Sequence, residues 1–171
     1  MRPPWLLLRV LSFTVLVPCT VVAWAPYYWI VGPDRVASRW PPSAARVWGL
    51  IPFAIGLAIY VVCAWRFAAE GLGTPAPWDP PRRLVTGGLF RWTRNPFYVG
   101  ILSILAGEAV LLSSRDLVWY TVVVAVAFHL RVTLHEEPAL RRLFGAEFER
   151  YSNAVPRWLP PFGRGDRGPS T

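Results

Sequence analysis

Two charged clusters stand where charge is costly. Arg94-Asn95-Pro96-Phe97-Tyr98 and, about forty residues later, Glu136-Glu137 each border an apolar run that reads as membrane-embedded. An ionisable side chain at a bilayer centre costs about 2.5–3.5 kcal/mol. Such groups are therefore paired, drawn to the interface, or part of a site. Two of them flanking one helical hairpin point to a polar ligand held at a membrane face.

Each cluster also has a purely structural reading. Asn95 precedes a proline and is biased away from helix, while Pro96 suits the first helical position. Arg94-Asn95-Pro96 is then an interface arginine followed by a helix cap. Pro138 has no amide for Leu134 and clashes with that turn, so a bend is expected there. One glutamate can sit in the first turn of the next helix, where the dipole favours it. Adjacent carboxylates, however, point to different helix faces. At least one must turn toward the bundle or the membrane and needs a cation, supplied by Arg94 or by a ligand.

The elements that position these groups follow from hydropathy. Of 171 residues, 54% are hydrophobic and 16% charged, against about a quarter charged in soluble domains. Val10 to Val31 and Val47 to Trp65 are free of charge for 22 and 19 residues, and about 20 helical residues cross a bilayer. Pro18 is expected to kink the first span. Pro96 to Ser114 contains Glu108, and Leu117 to Leu130 contains His129. Joined by Ser113-Ser114-Arg115-Asp116, these two runs read as a transmembrane hairpin. Glu108 is expected to pair with Arg115 or reach the interface. The fold class expected is all-α, a polytopic membrane protein of about four transmembrane helices with a C-terminal amphipathic cytoplasmic helix.

A cleaved leader is the alternative for the first run, with Arg2 and Arg9 as its basic region and Ala23-Trp24-Ala25 as the cut. The run is too long for one, and Pro26 would follow the cleavage. Arginines set the orientation. Arg2 and Arg9 precede span one; Arg66, Arg82, Arg83, Arg91 and Arg94 separate spans two and three; seven more follow from Arg131. The opposite side holds Arg35, Arg39, Arg46 and Arg115, so both termini are expected in the cytoplasm. Trp5, Trp29, Trp48, Trp65, Trp92 and Trp119 fall near the interfaces. All 18 basic residues are arginine; with no organellar address, a bacterial inner membrane is expected.

Net charge is +8, yet the arginines alternate with apolar spans instead of forming one basic face, which excludes nucleic acid as a partner. Cys19 and Cys63 lie inside apolar runs and read as packing residues. His129 and His135 make no metal-ligand spacing with carboxylates or cysteines beyond the glutamate pair, so no metal is expected.

Gly71 to Pro81, rich in proline and glycine, breaks the helix as an extended cytoplasmic connector. Gly71-Leu72-Gly73-Thr74-Pro75-Ala76 matches a dinucleotide fingerprint only formally, because no strand precedes it and its prolines remove amides. Thr86-Gly87-Gly88 is a turn. Leu140, Phe144, Phe148 and Tyr151 recur at helical spacing, opposite Arg141, Arg142, Glu149 and Arg150, and define an amphipathic helix. The chain divides into 1–70, a helix pair; 71–160, the region with the charged clusters; and 161–171, a disordered tail.

The run Leu84 to Tyr98 resembles the cofactor segment of isoprenylcysteine carboxyl methyltransferases. Glu136-Glu137-Pro138-Ala139-Leu140, with Phe144-Gly145, Tyr151, Val155-Pro156 and Leu159-Pro160, resembles that family's C-terminal signature. Phospholipid N-methyltransferases share the pattern. The resemblance implies a helical membrane enzyme using S-adenosylmethionine at the cytoplasmic end of the hairpin. It implies Leu84, Val85, Phe90, Asn95, Pro96, Phe97 and Tyr98 as the cofactor wall, Glu136 as counter-ion to the methionyl end, and Glu137 as its support. Asn95 stands where the family commonly has histidine. Val132 stands where the prenylcysteine enzymes carry a substrate-binding arginine, with Arg131 one residue away, about 100° around the helix.

Within that resemblance the expected reaction is methylation of a lipid-like or amphipathic molecule entering from the bilayer. For a carboxylate acceptor, Arg131 or Arg94 provides the positioning cation; for an amine, Glu137 is the candidate base. Two other readings stand beside it. Membrane sterol and steroid reductases resemble the hairpin and its Arg-x-Pro-x-Tyr run, and Arg82, Arg83, Arg91 and Arg94 would then hold the phosphates of NADPH. A non-enzymatic membrane scaffold is the third.

Overall fold

The computed structural model describes residues 18–39, 43–44, 46–70 and 83–158, all helical or irregular, with no strand among them. The expectations for Arg2, Trp5, Arg9, the first half of span one, the connector with its fingerprint-like run, Arg82, Leu159-Pro160 and the tail lie outside these residues.

Helix α1, Cys19–Val31, follows Pro18 and is wound more widely than an ordinary α-helix. Pro26 inside it brings no amide to the ladder, and wide i→i+5 turns are a usual response to such an interruption. Gly32, at φ 84°, ends it, and the short α2, Pro33–Arg39, starts on a proline. A tight turn, Arg46–Gly49, leads into α3, Leu50–Glu70. Helix α4 runs Pro96–Leu111 and α5 Arg115–Arg131. Between them Ser113 takes φ 45°, and the Ser114 hydroxyl caps α5 by accepting from Leu117 N at 3.3 Å. The expected hairpin turn falls on these residues.

Helices α3 and α4 are antiparallel and nearly touch backbone to backbone. A Cβ at Gly49 would lie 2.6 Å from the Gly107 carbonyl, and one at Gly56 would lie 2.5 Å from that of Gly100. Gly49, at the entry to α3, and Gly56 within it, with Gly100 and Gly107 of α4, each pair spaced by seven, thus form the seam. Apolar side chains give little drive for association inside lipid, and small residues let helix backbones approach instead. Helix α4 is buried along much of its length, whereas α3 and α5 expose apolar stripes: Ile51, Ile55, Val62 and Trp65 on one, Trp119, Val122, Val123 and Val126 on the other. So large an exposed apolar surface is foreign to a water-soluble monomer.

Two helical stretches, Arg46–Arg66 and Arg115–Phe144, are long and apolar enough to cross a membrane. Cys19–Val31 and Pro96–Leu111 are shorter. The second long stretch is not uniform. After Arg131 the helix widens over Val132–Glu136 and resumes as α6, Glu137–Phe144, with Pro138 in its first turn. Where the bend is expected, the helix widens by this turn and continues. The amphipathic helix expected beyond it is instead two helices, because Gly145 at φ 49° separates α6 from α7, Ala146–Ala154. Only glycine adopts such a backbone without strain.

Candidate functional site

The site forms where the segment before α4 meets the end of α7. Gly88, at φ 62°, turns the chain beneath the guanidinium of Arg66, which a Cβ there would meet at 2.6 Å. A short turn, Gly88–Arg91, buries Phe90. Phe90 packs with Val85 and Cys63, backed by Phe97. Pro96 is fully buried as the first residue of α4. Asn95 holds the N-cap position without a side-chain cap; its Nδ2 donates instead to the Arg157 carbonyl at 2.9 Å. That corrects the capping role expected of its amide.

The last described residues form a strap across this segment. Arg94 N donates to Pro156 O at 3.0 Å, Thr93 Oγ1 to Arg157 O at 3.1 Å, and Tyr151 OH to Phe90 O at 2.8 Å. Arg157 then turns its side chain onto Glu137, with Nε 2.6 Å from Oε1 and Nη2 2.9 Å from Oε2. A two-toothed guanidinium–carboxylate contact of this kind fixes orientation as well as charge. Glu137 is only 5% exposed. A second arginine, Arg94, brings Nη1 to 3.1 Å from its Oε1. That contact lacks hydrogen-bond geometry, and neither Nη1 nor Nε of Arg94 has a hydrogen-bond partner among the described residues.

Glu136 has different partners. Arg131 Nε lies 2.8 Å from its Oε1, Tyr98 OH donates to the same oxygen, and Arg131 Nε also donates to Tyr98 OH at 3.1 Å. The two glutamates therefore serve two separate networks, as their divergent directions on a helix require.

Between the networks lies a cavity of about 100 Å³. Leu84, Val85, Phe90, Leu140 and Phe148 supply its apolar wall, and Arg94, Asn95, Glu136, Glu137 and Tyr151 its polar side. Burial lowers the pKa of the Arg94 guanidinium, opposed first by the charge of Glu137. Burial also pushes the Tyr151 phenol up to about 12, against the pull of Arg94. The hydrogen bond to Glu137 raises Arg157. The result is a desolvated, charge-rich recess with apolar walls, suited to a small molecule carrying both charge signs and an apolar body.

Seven of the residues singled out in the sequence, Leu84, Val85, Phe90, Arg94, Asn95, Glu136 and Glu137, meet in this lining. Pro96 and Phe97 stand behind it, and Tyr98 and Arg131 reach it only through Glu136. Val132 lines it in person, where the resemblance placed an arginine. Leu140, Phe148 and Tyr151, from the apolar side of the amphipathic pattern, line it too. Arg157 was not recognised at all. Its signal was indirect: two adjacent carboxylates need more than one cation. Among the described residues no three His, Cys, Asp or Glu side chains converge as a metal site.

The model of the phospholipid methyltransferase family matches residues 44–147. The chain belongs to that family. The match runs from before α3 through α4 and α5 into α7 and thus takes in most of the cavity lining, but stops short of the strap. Two relatives, each named a probable protein-S-isoprenylcysteine O-methyltransferase, come from Oryza sativa subsp. indica and subsp. japonica. Each is 34% identical over 84 residues, 48% of this chain and 44% of the relative. The chain thus spans under half the length of these curated relatives. No solved structure matches it.

Proposed function

We propose that this family member is an integral membrane methyltransferase that moves a methyl group from S-adenosylmethionine to a lipid-like or amphipathic acceptor. The observation that carries the reading is the convergence of two carboxylates and the partly unsatisfied Arg94 on one apolar-walled recess. A buried guanidinium with unused donors calls for an anion. The methionyl part of the cofactor offers a carboxylate for Arg94 and cationic groups for Glu136. The described walls hold about 100 Å³, below the roughly 300–1,000 Å³ of ordinary small-molecule sites. They accommodate the methionyl end alone, against the apolar wall of Leu84, Val85 and Phe90.

When bound, the cofactor supplies an electrophilic methyl group. The chain's own residues orient and exclude water. Glu137, held by Arg157 and approached by Arg94, keeps the floor of the recess rigid. Tyr98 and Arg131 fix the Glu136 carboxylate in direction, and Phe90, Leu140 and Phe148 keep the recess dry. Orientation and water exclusion are the main sources of rate for such a displacement. An amine acceptor must first lose a proton; with burial outweighed by Arg157 and Arg94, the Glu137 pKa is lowered and both its oxygens are held, so Glu137 supports the recess in place of the base role expected of it. An anionic acceptor needs a positioning cation, for which Arg131 is placed beside the recess, half-exposed.

In this reading α1, α3, α4 and α5 form four spans in a bacterial inner membrane, with both termini and the recess cytoplasmic and α6 and α7 lying at that surface. Calorimetry with S-adenosylhomocysteine on detergent-purified protein tests it. Saturable binding that weakens at least about tenfold in Glu136→Gln, the scale of one lost charge-assisted contact, is the expected result. Binding of NADPH in its place would favour a reductase, and binding of neither by folded protein would leave a scaffold.

A further inference from the structure

At the opposite end of α4 the structure has a second and larger cavity, of about 530 Å³. It opens between α1 and the C-terminal turn of α4 and is bounded by Trp24, Tyr27, Tyr28, Val22, Leu111 and Glu108. Glu108 lies twelve residues beyond Pro96, which places it about 18 Å along the helix from the recess described above. The two sites are therefore separate.

Its chemistry is one-sided. Glu108 Oε2 is buried and has no hydrogen-bond partner among the described residues. The ion pair expected with Arg115 is not what the structure shows, and Arg35 of α2 faces Asp116 at 3.7 Å. Among the described residues no arginine lines the cavity. The rest of its lining is apolar or aromatic, and three of its rings are clustered, with Trp24–Tyr28 centroids 5.9 Å apart and Tyr27–Tyr28 centroids 4.8 Å apart. Those rings are partly exposed on the outer surface of α1, the side from which a molecule dissolved in the bilayer would arrive. A carboxylate oxygen with no cation among the described residues, in a cavity that aromatic rings also line, is a receptor for positive charge. Its size falls within the small-molecule range.

We propose that this cavity is a second binding site, for a membrane-dissolved amphiphilic ammonium ion. Glu108 is the counter-ion, and Trp24, Tyr27 and Tyr28 are the aromatic wall. Among the described residues the lining holds no cation for a phosphate, so a simple alkylammonium is favoured over a zwitterionic phospholipid.

The test is equilibrium dialysis of tritiated dodecyltrimethylammonium against full-length protein in a neutral maltoside detergent. One saturable site is expected, weakened about tenfold in Glu108→Gln, the worth of about one charged contact, and unchanged in Glu136→Gln. Dodecanol should not compete, and tetramethylammonium at equal concentration should not displace the probe. Equal binding to wild type and Glu108→Gln would overturn the proposal. So would loss of binding in Glu136→Gln, which would move the probe to the cytoplasmic recess, or full displacement by tetramethylammonium, which would make the ligand a free soluble ion. Should Glu108→Gln fail to fold, wild-type preference for the ammonium over dodecanol, reduced by Tyr28→Leu, decides the matter. Failure here leaves the methyltransferase reading untouched, because S-adenosylhomocysteine binding is read at the other site.

Discussion

The side chain on which the recess most depends is Arg157. It contacts both oxygens of the buried Glu137, while its carbonyl accepts from Thr93 and Asn95. Removing one partner of a buried pair leaves the other charge stranded, and the loss exceeds the worth of the contact itself. Arg157→Gln should therefore destabilise the protein by about 1–3 kcal/mol, discounted for a guanidinium that is partly exposed. Combined with Glu137→Gln it should cost less than the two single changes summed, with a coupling of about 1 kcal/mol. Urea unfolding of the four proteins in detergent measures this; strict additivity would mean that the contact carries no energy. At this scale the sequence showed the glutamates and Arg94, because charges beside apolar runs stand out. It hid Arg157, whose neighbours Pro156 and Trp158 give no hint that the chain returns to Thr93.

Helices set where those side chains point, and two features decide it. The first is the glycine seam. Gly56→Ala drives a methyl group into the Gly100 carbonyl, and overpacking of this kind costs about 1–3 kcal/mol. A fall in thermal midpoint is expected, whereas a substitution on the lipid-facing surface of α3, such as Ile55→Leu, should leave it unchanged. The second is the widened turn Val132–Glu136 before Pro138. Pro138→Ala restores an amide and lets an ordinary α-helical turn form. The register of Glu136 and Glu137 then rotates, and S-adenosylhomocysteine affinity should drop at least about tenfold, since small misplacements are costly in oriented sites, with the fold retained. Hydropathy revealed α3 and α5, and Pro138 marked the place where the helix departs from regular winding. The antiparallel glycine pairing was not legible, because spacing within one helix does not say which helix it will meet. Nor was the break at Gly145, since one glycine in an amphipathic pattern reads as tolerated.

At the scale of the molecule, α3 and α5 present apolar surface outward while the charged recess gathers at one end and Glu108 at the other. This polarity predicts sidedness. In a background without Cys19 and Cys63, both free thiols in the wild type, a cysteine at Arg115 should react with an impermeant maleimide in intact spheroplasts. One at Asn153, exposed on α7, should react only after the membrane is opened. The reverse pattern would invert the proposed topology. Arginine counting carried this expectation from the sequence. The meeting of the segment before α4 with residues 156 and 157 did not follow from it, because that contact depends on how α6 and α7 double back.

The strap across Thr93, Arg94 and Asn95 also sets an order of events during synthesis. A nascent chain leaves the ribosome N-terminus first and folds in that order, so the glycine-seamed helices can enter the bilayer before Pro156 and Arg157 have been made. Until then Tyr151 alone of the strap residues holds the segment ahead of α4, and Glu137 lacks the two-toothed contact of Arg157. The recess is therefore completed only once Arg157 has been made, as a separate step from insertion of the helices before it. A message truncated after Ala154 would yield a protein that is embedded and helical yet blind to S-adenosylhomocysteine, and able to compete with its full-length siblings for membrane space.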